Sequence, residues 1–217
     1  MAHSAANSEE ISGLLRQVAA GDQAVWGALL ERQRPRLRRM VELRLDPRLQ
    51  GRLDASDIIQ EAYLAASVQL EKYLKEPTIP FYLWLRLVTA QKLVALHRVH
   101  LGTKARDASR QISLDRGALP AASSTALASK LLGREPSPSE AAGQIEQRRR
   151  LQEALDRMNP LDREVLALRH FEQLTNAETA QVLGLDPAAA SKRYVRALQR
   201  IKEILSELPG GPGEKEA

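Results

Sequence analysis

Basic and polar side chains recur on one face of the segment from residue 187 to residue 201. That face has seven members: Ser191, Lys192, Arg193, Val195, Arg196, Gln199 and Arg200. Helical spacing places four other residues on the opposite face: Ala190, Tyr194, Ala197 and Ile201. Guanidinium and ammonium groups bind phosphate oxygens and the edges of bases. The pattern therefore predicts a helix that buries one face and binds nucleic acid with the other.

A second helix start lies eleven residues before the start of this one. Thr175 and Glu178 have the spacing of a capping box, and Asp186–Pro187 combines an N-cap oxygen with a proline at the first helical position. Gly184 lies between them, where a chain leaving a helix often needs positive φ. Two short helices joined in this way predict a helix-turn-helix, whose second helix enters the DNA major groove. An ordinary helical hairpin with a solvated basic face is the alternative.

Composition favours an all-α protein with small cores. The chain has 217 residues, of which 4% are aromatic and 27% charged, and its net charge of +5 suits a polyanionic partner. Disulfides and thiolate metal sites are excluded because the sequence contains no cysteine. The first residues do not resemble a signal peptide, and no apolar run approaches the ~18 residues that cross a bilayer. We therefore expect a cytoplasmic protein that does not insert into membranes.

The sequence divides into two helical domains. Residues 101–139 are rich in Gly, Ser, Ala, Thr and Pro, which predicts a flexible linker that is partly extended or disordered. Some apolar residues within it, such as those from Leu127 to Leu132, could contact a partner. The expected domains are therefore 8–100 and 140–207, and residues after Pro209 form a frayed tail.

Two clusters in the first half of the chain could bind partners. From Arg32 to Arg52 there are eight arginines against two acidic residues, which is compatible with a solvated surface or with phosphate contacts. Farther along, Asp57, Gln60, Glu61 and Leu64 share one face of a helix that begins at Asp54. An acidic patch in a basic protein is typical of a site for a basic protein partner. The alternative is that Asp57 only complements the helix dipole.

The helix that follows Pro80 carries two further candidate features. Phe81 and Trp84 at helical spacing could stack on unpaired bases, but such pairs are more often part of a core. His97 and His100 are three residues apart, yet no third ligand or second shell is evident. We therefore predict a core role for the aromatic residues and no metal site.

Three segments of the chain, in this order, resemble those of bacterial RNA polymerase sigma factors of the extracytoplasmic-function (ECF) group. DASDIIQEAYLAA resembles the family segment that binds the polymerase clamp, and FYLWLRLVTAQKLVALHR the segment that recognises and melts the promoter −10 element. LDREVLALRHFEQLTNAETAQVLGLDPAAASKRYVRAL resembles the domain that reads the −35 element. The resemblance covers nearly the whole chain, and the sequences of residues 44–66 and 137–142 (SPSEAA) are similar to those of planctomycete members.

The resemblance implies roles for individual residues. Asp57, Gln60 and Glu61 match the face that binds core polymerase. On the −10 side the matching residues are Lys75 and Thr78 in the loop that captures a flipped base, Gln91 where many members have Asn, and Lys92 and Arg98 along the DNA strand. On the −35 side Ser191, Lys192, Val195 and Arg196 match positions in the major groove, and Arg193 and Arg200 match phosphate contacts. The implied partners are promoter DNA, the clamp helices of the largest polymerase subunit, the flap of the second largest, and an anti-sigma factor.

Two other classes of function compete with this interpretation. A stand-alone helix-turn-helix regulator would use its N-terminal half to sense a ligand or to dimerise, and would not need the acidic patch to bind polymerase. An enzyme acting on nucleic acid would need paired carboxylates with a metal-ligand partner, a Ser/His/Asp set or a phosphate-binding glycine loop. None of these is evident in the sequence, so we expect neither catalytic activity nor a cofactor.

Overall fold

A computed structural model describes residues 2–49, 51–101, 121–133 and 141–206 of the chain. All regular structure in these residues is helical, with no β-strand, which confirms the all-α prediction. The chain divides into two compact units, Met1–Leu119 and Pro120–Ala217. The expected frayed tail lies outside the described residues.

Four α-helices lie in the part of the first unit that the structure describes. They are α1 (Ala2–Ala19), α2 (Gln23–Arg44), α3 (Ala55–Lys75) and α4 (Phe81–Leu101), with a short 3₁₀ turn at Pro47–Leu49. Asp22 starts α2, because its Oδ1 accepts hydrogen bonds at 3.0 Å from the backbone N–H groups of Ala24 and Val25. Asp54 starts α3 in the same way, through the N–H of Ser56.

Helix α2 continues through Pro35, where the sequence predicts a kink or a break. A proline removes one backbone donor from a helix, which weakens it locally. Packing compensates in this case, because Leu30, Leu37, Met40 and Val41 around the proline are all buried.

An aromatic cluster forms the core between α2, α3 and α4. The rings of Tyr73 and Trp84 stack with centroids 4.4 Å apart, and Phe81 contacts both of them. Trp26 meets Phe81 edge-on and donates from Nε1 to the Ser67 hydroxyl at 2.9 Å. Phe81 and Trp84 therefore belong to the core, as predicted, and their rings are not available to stack on bases.

The described residues of the second unit form five α-helices. They are α5 (Ser124–Leu132), α6 (Ala141–Arg157), α7 (Pro160–Leu166), α8 (Asn176–Leu183) and α9 (Pro187–Ser206). Helix α7 continues directly into a π-helical turn at Ala167–Phe171. The sequence signal for the start of α7 holds in the structure, since Asn159 Oδ1 accepts the N–H of Leu161 at 2.9 Å.

Helix α5 lies within the segment that composition assigns to a linker. Ser123 caps its start, and Gly133 ends it in the left-handed region at φ 70°. The helix packs along α6, and Leu127 and Ala128 are completely buried. At least this part of residues 101–139 is therefore ordered within the second unit, whereas 102–120 and 134–139 lie outside the described residues.

Polar contacts fasten the start of α5 to α6 and α7. The Ser124 hydroxyl donates to Asp156 Oδ1 at 2.6 Å and accepts from Arg163 Nη1 at 3.0 Å. The backbone N–H of Ala122 donates to the buried carboxylate of Glu164 at 3.1 Å. These partners lie about 30 to 40 residues farther along the chain, so α5 is held by tertiary contacts more than by its own short sequence.

Candidate nucleic-acid interface

The helix-turn-helix forms as the local sequence signals predict. Glu178 N–H donates to Thr175 Oγ1 at 3.1 Å, and Thr175 N–H donates to Glu178 Oε2 at 2.7 Å, which completes the capping box. Gly184 ends α8 at φ 64°, in the region where a side chain is strained. Helix α8 therefore has a fixed start and a fixed end.

Two side chains orient the start of α9. Asp186 Oδ1 accepts the N–H of Ala189 at 2.9 Å. The Asn176 side chain, at the start of α8, donates from Nδ2 to the carbonyl of Pro187 at 2.7 Å. This second bond joins the N-terminal ends of the two helices across the turn and so fixes the direction in which α9 leaves it.

The inner face of α9 is apolar, largely as the spacing predicts. Ala190, Ala197 and Ile201 are buried. Tyr194 is only half-buried, and the guanidinium of Arg169 lies 5.0 Å from its ring centroid. That contact is a cation–π interaction between α9 and the π-helical turn.

The outer face of α9 brings four of the predicted −35 residues together. Ser191, Lys192, Val195 and Arg196 are exposed and line one open surface depression. The side chains thus combine a hydroxyl, two cations and a branched apolar group within about one and a half helical turns. Their contact with DNA stays a prediction.

The other two predicted −35 residues have protein partners. Arg193 is half-buried, and its Nη1 lies 2.8 Å from Asp162 Oδ1 in α7. Arg200 is exposed and pairs with Glu203 one turn later, with Nη1 and Oε2 2.9 Å apart. Arg193 therefore ties α9 to α7, a role that the sequence pattern does not reveal because Asp162 lies 31 residues away.

The capping box gives a testable contribution to the stability of this motif. Thr175→Ala should cost about 1 kcal/mol, because the amide of Glu178 loses its acceptor. We expect the backbone amides of α8 to exchange with deuterium about fivefold faster, measured by hydrogen exchange with mass spectrometry. Thr175→Ser, which keeps the oxygen, is the control; equal exchange in the alanine variant would contradict the assignment.

In the first unit, the predicted polymerase-binding residues occupy the solvent face of α3. Asp57, Gln60 and Glu61 are all exposed, while Ile58 and Ile59 between them are completely buried. Leu64, which helical spacing places on the same face, is 66% exposed. Sequence reasoning left out Val68, which is 86% exposed; its spacing of seven residues from Glu61 is the signal that could have found it.

The predicted −10 residues lie at the end of α3 and along α4. Lys75 pairs with Glu71, with Nζ and Oε1 2.6 Å apart, and Thr78 is exposed in the loop that joins the two helices. The Tyr73 hydroxyl supports this loop by donating to the carbonyl of Ile79 at 3.0 Å. Burial raises the pKa of Tyr73 to about 12, so the hydroxyl keeps its proton near neutral pH.

Lys92, one of the predicted −10 residues, contacts Glu61, one of the predicted polymerase-binding residues. Gln91 and Arg98 are exposed on α4, but the Lys92 ammonium lies 3.8 Å from Glu61 Oε2 on α3. The structure thus brings into contact two residues for which the resemblance implies different partners.

The arginine-rich segment of the first unit has many internal partners. The pairs are Arg32 with Glu10, Arg34 with Glu31, Arg38 with Glu42 and Arg48 with Asp46. The Arg36 guanidinium lies 3.5 Å from the Tyr82 ring centroid, and Arg44 is buried and donates to the carbonyl of Met40. These contacts favour a structural surface over a dedicated phosphate site.

His97 has a structural role. Its Nε2 lies 3.4 Å from the backbone nitrogen of Asp46, whose N–H donates to it, and burial lowers the pKa of the imidazole, which favours the neutral form that can accept this bond. Within the described ranges, no group of three or more His, Cys, Asp or Glu residues is placed to hold a metal ion. None of the described helices is long and apolar enough to span a membrane.

Known proteins are similar to this chain in both of its units. The family Sigma-70, region 4 matches residues 148–201, the segment from α6 to α9 that contains the helix-turn-helix. The ECF RNA polymerase sigma factor SigD of Mycobacterium tuberculosis is 27% identical over 195 residues, covering 90% of this chain and 84% of SigD. The chain is therefore similar to an ECF sigma factor across both of its units.

A second relative is similar to this chain in sequence and also has a solved structure. RNA polymerase sigma factor CnrH of Cupriavidus metallidurans is 24% identical and covers 92% of this chain and 96% of its own. The structure of CnrH in complex with the cytosolic domain of CnrY superimposes with a TM-score of 0.51 at 22% identity, over 89% of this chain and 95% of the other. The fold of the chain is therefore similar to that of CnrH.

Proposed function

We propose that this chain is an ECF-type sigma factor, which binds core RNA polymerase and directs promoter recognition, melting and transcription initiation. The observation that carries the proposal is that similarity to ECF sigma factors runs through both units, over 90% of the chain. A protein that shared only the DNA-binding motif, or only the acidic helix face, would be similar to sigma factors in one unit and not in both.

In this function α9 reads the −35 element. Its exposed face presents Lys192 and Arg196 as cations that can bind guanine edges, and Ser191 as a donor or acceptor. Arg200 lies farther along and contacts phosphate, while Arg193 keeps α9 in place through Asp162. The bonds that fix α9 on α8 and α7 keep these side chains in one register, which base recognition requires.

The solvent face of α3 binds the polymerase clamp. Asp57 and Glu61 supply negative charge, Gln60 supplies hydrogen bonds, and the adjoining Leu64 and Val68 supply apolar area that water now covers. Apolar residues beside charges are typical of a protein interface, with desolvated contacts at the centre and polar groups at the rim. The clamp helices of the largest subunit are the partner that the family resemblance implies for this face.

The −10 element meets the loop after α3 and the exposed residues of α4. Opening the duplex there requires capture of extruded bases, which offsets an unstacking cost of a few kcal/mol. Thr78 and Lys75 lie in or beside the loop that Tyr73 supports, and Gln91, Lys92 and Arg98 follow on the neighbouring helix. Gln91 can hydrogen-bond a base edge as Asn does, with a longer reach.

The proposal also covers further partners, the location of the chain and its lack of catalysis. The second unit also contacts the flap of the second largest polymerase subunit, and an anti-sigma factor binds the chain, by analogy with the CnrH complex with the cytosolic domain of CnrY. Because the chain acts together with RNA polymerase, it is cytoplasmic. It has no catalytic activity of its own. Similarity to planctomycete members of the group stays a prediction from the sequences of residues 44–66 and 137–142.

Co-purification with core RNA polymerase of the source organism, followed by run-off transcription from the genomic DNA that flanks the gene, tests this function. We expect the chain to co-elute with core polymerase and to give a discrete transcript that core polymerase alone does not give. A chain that binds duplex DNA but ignores core polymerase would instead be a stand-alone helix-turn-helix regulator, and the proposal would be wrong.

A further inference from the structure

We propose that Val195 recognises the 5-methyl group of a thymine in the −35 duplex, at a position close to guanines contacted by Lys192 and Arg196. This inference rests on the proposed function, because it assigns a base to the surface that the function requires.

The first step in the argument is that Val195 does not serve the core. It is 50% exposed, whereas Ala190 and Ala197 on the inner face of the same helix are completely or almost completely buried. A branched apolar side chain with half its surface in water gains little from folding. Its surface is available to a partner.

The second step is the composition of the surroundings. The depression that Val195 lines is otherwise lined by Ser191, Lys192 and Arg196, a hydroxyl and two cations. Charged residues are depleted at the centre of protein–protein interfaces, but they are the usual neighbours of a DNA-contacting residue. Val195 is a single apolar side chain beside two cations. This arrangement therefore fits DNA, a polyanion, at a place where the DNA exposes one apolar group.

The third step is the chemistry of the major groove. Each base pair presents hydrogen-bond donors and acceptors in the major groove, and the C5-methyl of thymine is the apolar group exposed in that groove. Lysine and arginine preferentially contact the O6 and N7 atoms of guanine. Since Lys192 and Arg196 flank Val195 on one helix face, the surface fits a short sequence in which a thymine lies close to guanines.

An apolar protein contact is the competing use of the same side chain. Leu198, three residues later, is 38% exposed and could extend Val195 into a small apolar patch. In that case Val195 would bind a protein and would not distinguish one base from another. The two uses differ in their response to the removal of one methyl group from DNA.

The test selects −35 duplexes from a random library with the full chain at low salt, then replaces each thymine of the selected duplex by deoxyuridine. Deoxyuridine keeps the base pair and lacks only the methyl group. We expect one replacement to weaken wild-type binding about fourfold, the value for one buried methyl-sized group. Val195→Ala should bind the thymine and deoxyuridine duplexes within twofold of each other.

The control is Val99→Ala, the same substitution at an exposed position of α4 in the other unit, which should keep the fourfold difference. A selected duplex that lacks thymine, or whose thymines can all be replaced without loss, overturns the inference while leaving the sigma function intact. An equal difference in wild type and Val195→Ala overturns it as well. If the full chain selects no duplex and gives no transcript with core polymerase, the proposed function itself fails and this inference fails with it.

Discussion

Reversing the charges of Asp57 and Glu61 together is expected to weaken binding to core RNA polymerase by at least about a hundredfold. Both carboxylates are exposed on α3 beside apolar Leu64 and Val68, so a partner that covers this face desolvates them against its own cations. Loss of one desolvated charge partner costs about 2–5 kcal/mol, and placing like charges in contact adds to that cost. Binding of the −35 duplex by the free chain should not change, because α9 belongs to the other unit.

The single variants separate the contributions of the two residues. Glu61→Lys places a second ammonium beside Lys92, whereas Asp57→Lys leaves the contact between Glu61 and Lys92 in place. Glu9→Lys, at an exposed position of α1, gives the same change in net charge as each single variant and is the control. Affinity for core polymerase is measured by competition, with circular dichroism melting to show that each variant is folded. Binding that survives in the double variant would mean that α3 is not the polymerase-binding face.

Lys192→Ala and Arg196→Ala are each expected to change which −35 sequences direct transcription. A good contact between one of these side chains and a base contributes about 1–3 kcal/mol, so loss at the preferred base is roughly 5- to 150-fold. Other bases at that position should lose much less, because they make no such contact. Transcription from a promoter library randomised at −35, with reconstituted holoenzyme and sequenced products, measures the change.

Arg200→Ala is the matched control for this experiment. Arg200 is exposed on the same helix and is predicted to contact phosphate, so its loss should weaken all sequences alike and reduce the salt dependence of binding. Uniform weakening by Lys192→Ala and Arg196→Ala would show that these residues also contact only the backbone of the DNA.

The helix-turn-helix could be predicted almost completely from the sequence, because its determinants are local. The capping box joins Thr175 to a residue three positions away, Gly184 needs only its own φ, and the apolar positions of α9 repeat at helical spacing. The same reasoning identified Phe81 and Trp84 as core residues. Such features depend on neighbours within one or two turns and need no knowledge of the rest of the fold.

Helix α5 was missed for the opposite reason. Ser, Ala, Gly and Pro around it are typical of a linker, and a helix of nine residues is only marginally stable by itself. Its order comes from burial of Leu127 on α6 and from the contacts of Ser124 with Asp156 and Arg163. The apolar residues of this segment were visible in the sequence, but composition cannot reveal which helix covers them.

Ion pairs between helices were also beyond sequence reasoning. Arg193 and Lys92 look like free cations on their own helices, yet Asp162 and Glu61, each 31 residues earlier, lie beside them. Periodicity assigns a residue to a face of its helix and does not identify the residue opposite it.

If Lys92 binds DNA and Glu61 binds polymerase, as proposed, the contact between them makes the two binding events thermodynamically linked. A partner that draws Glu61 away removes the counter-charge of Lys92, and a DNA strand that takes Lys92 leaves Glu61 with its full negative charge. Whichever ligand arrives first bears the cost of separating the pair, so the second binds more tightly, and the enhancement is the same in either order. For a partly exposed pair that cost is below about 1 kcal/mol, so the cooperativity from this one contact is at most about fivefold.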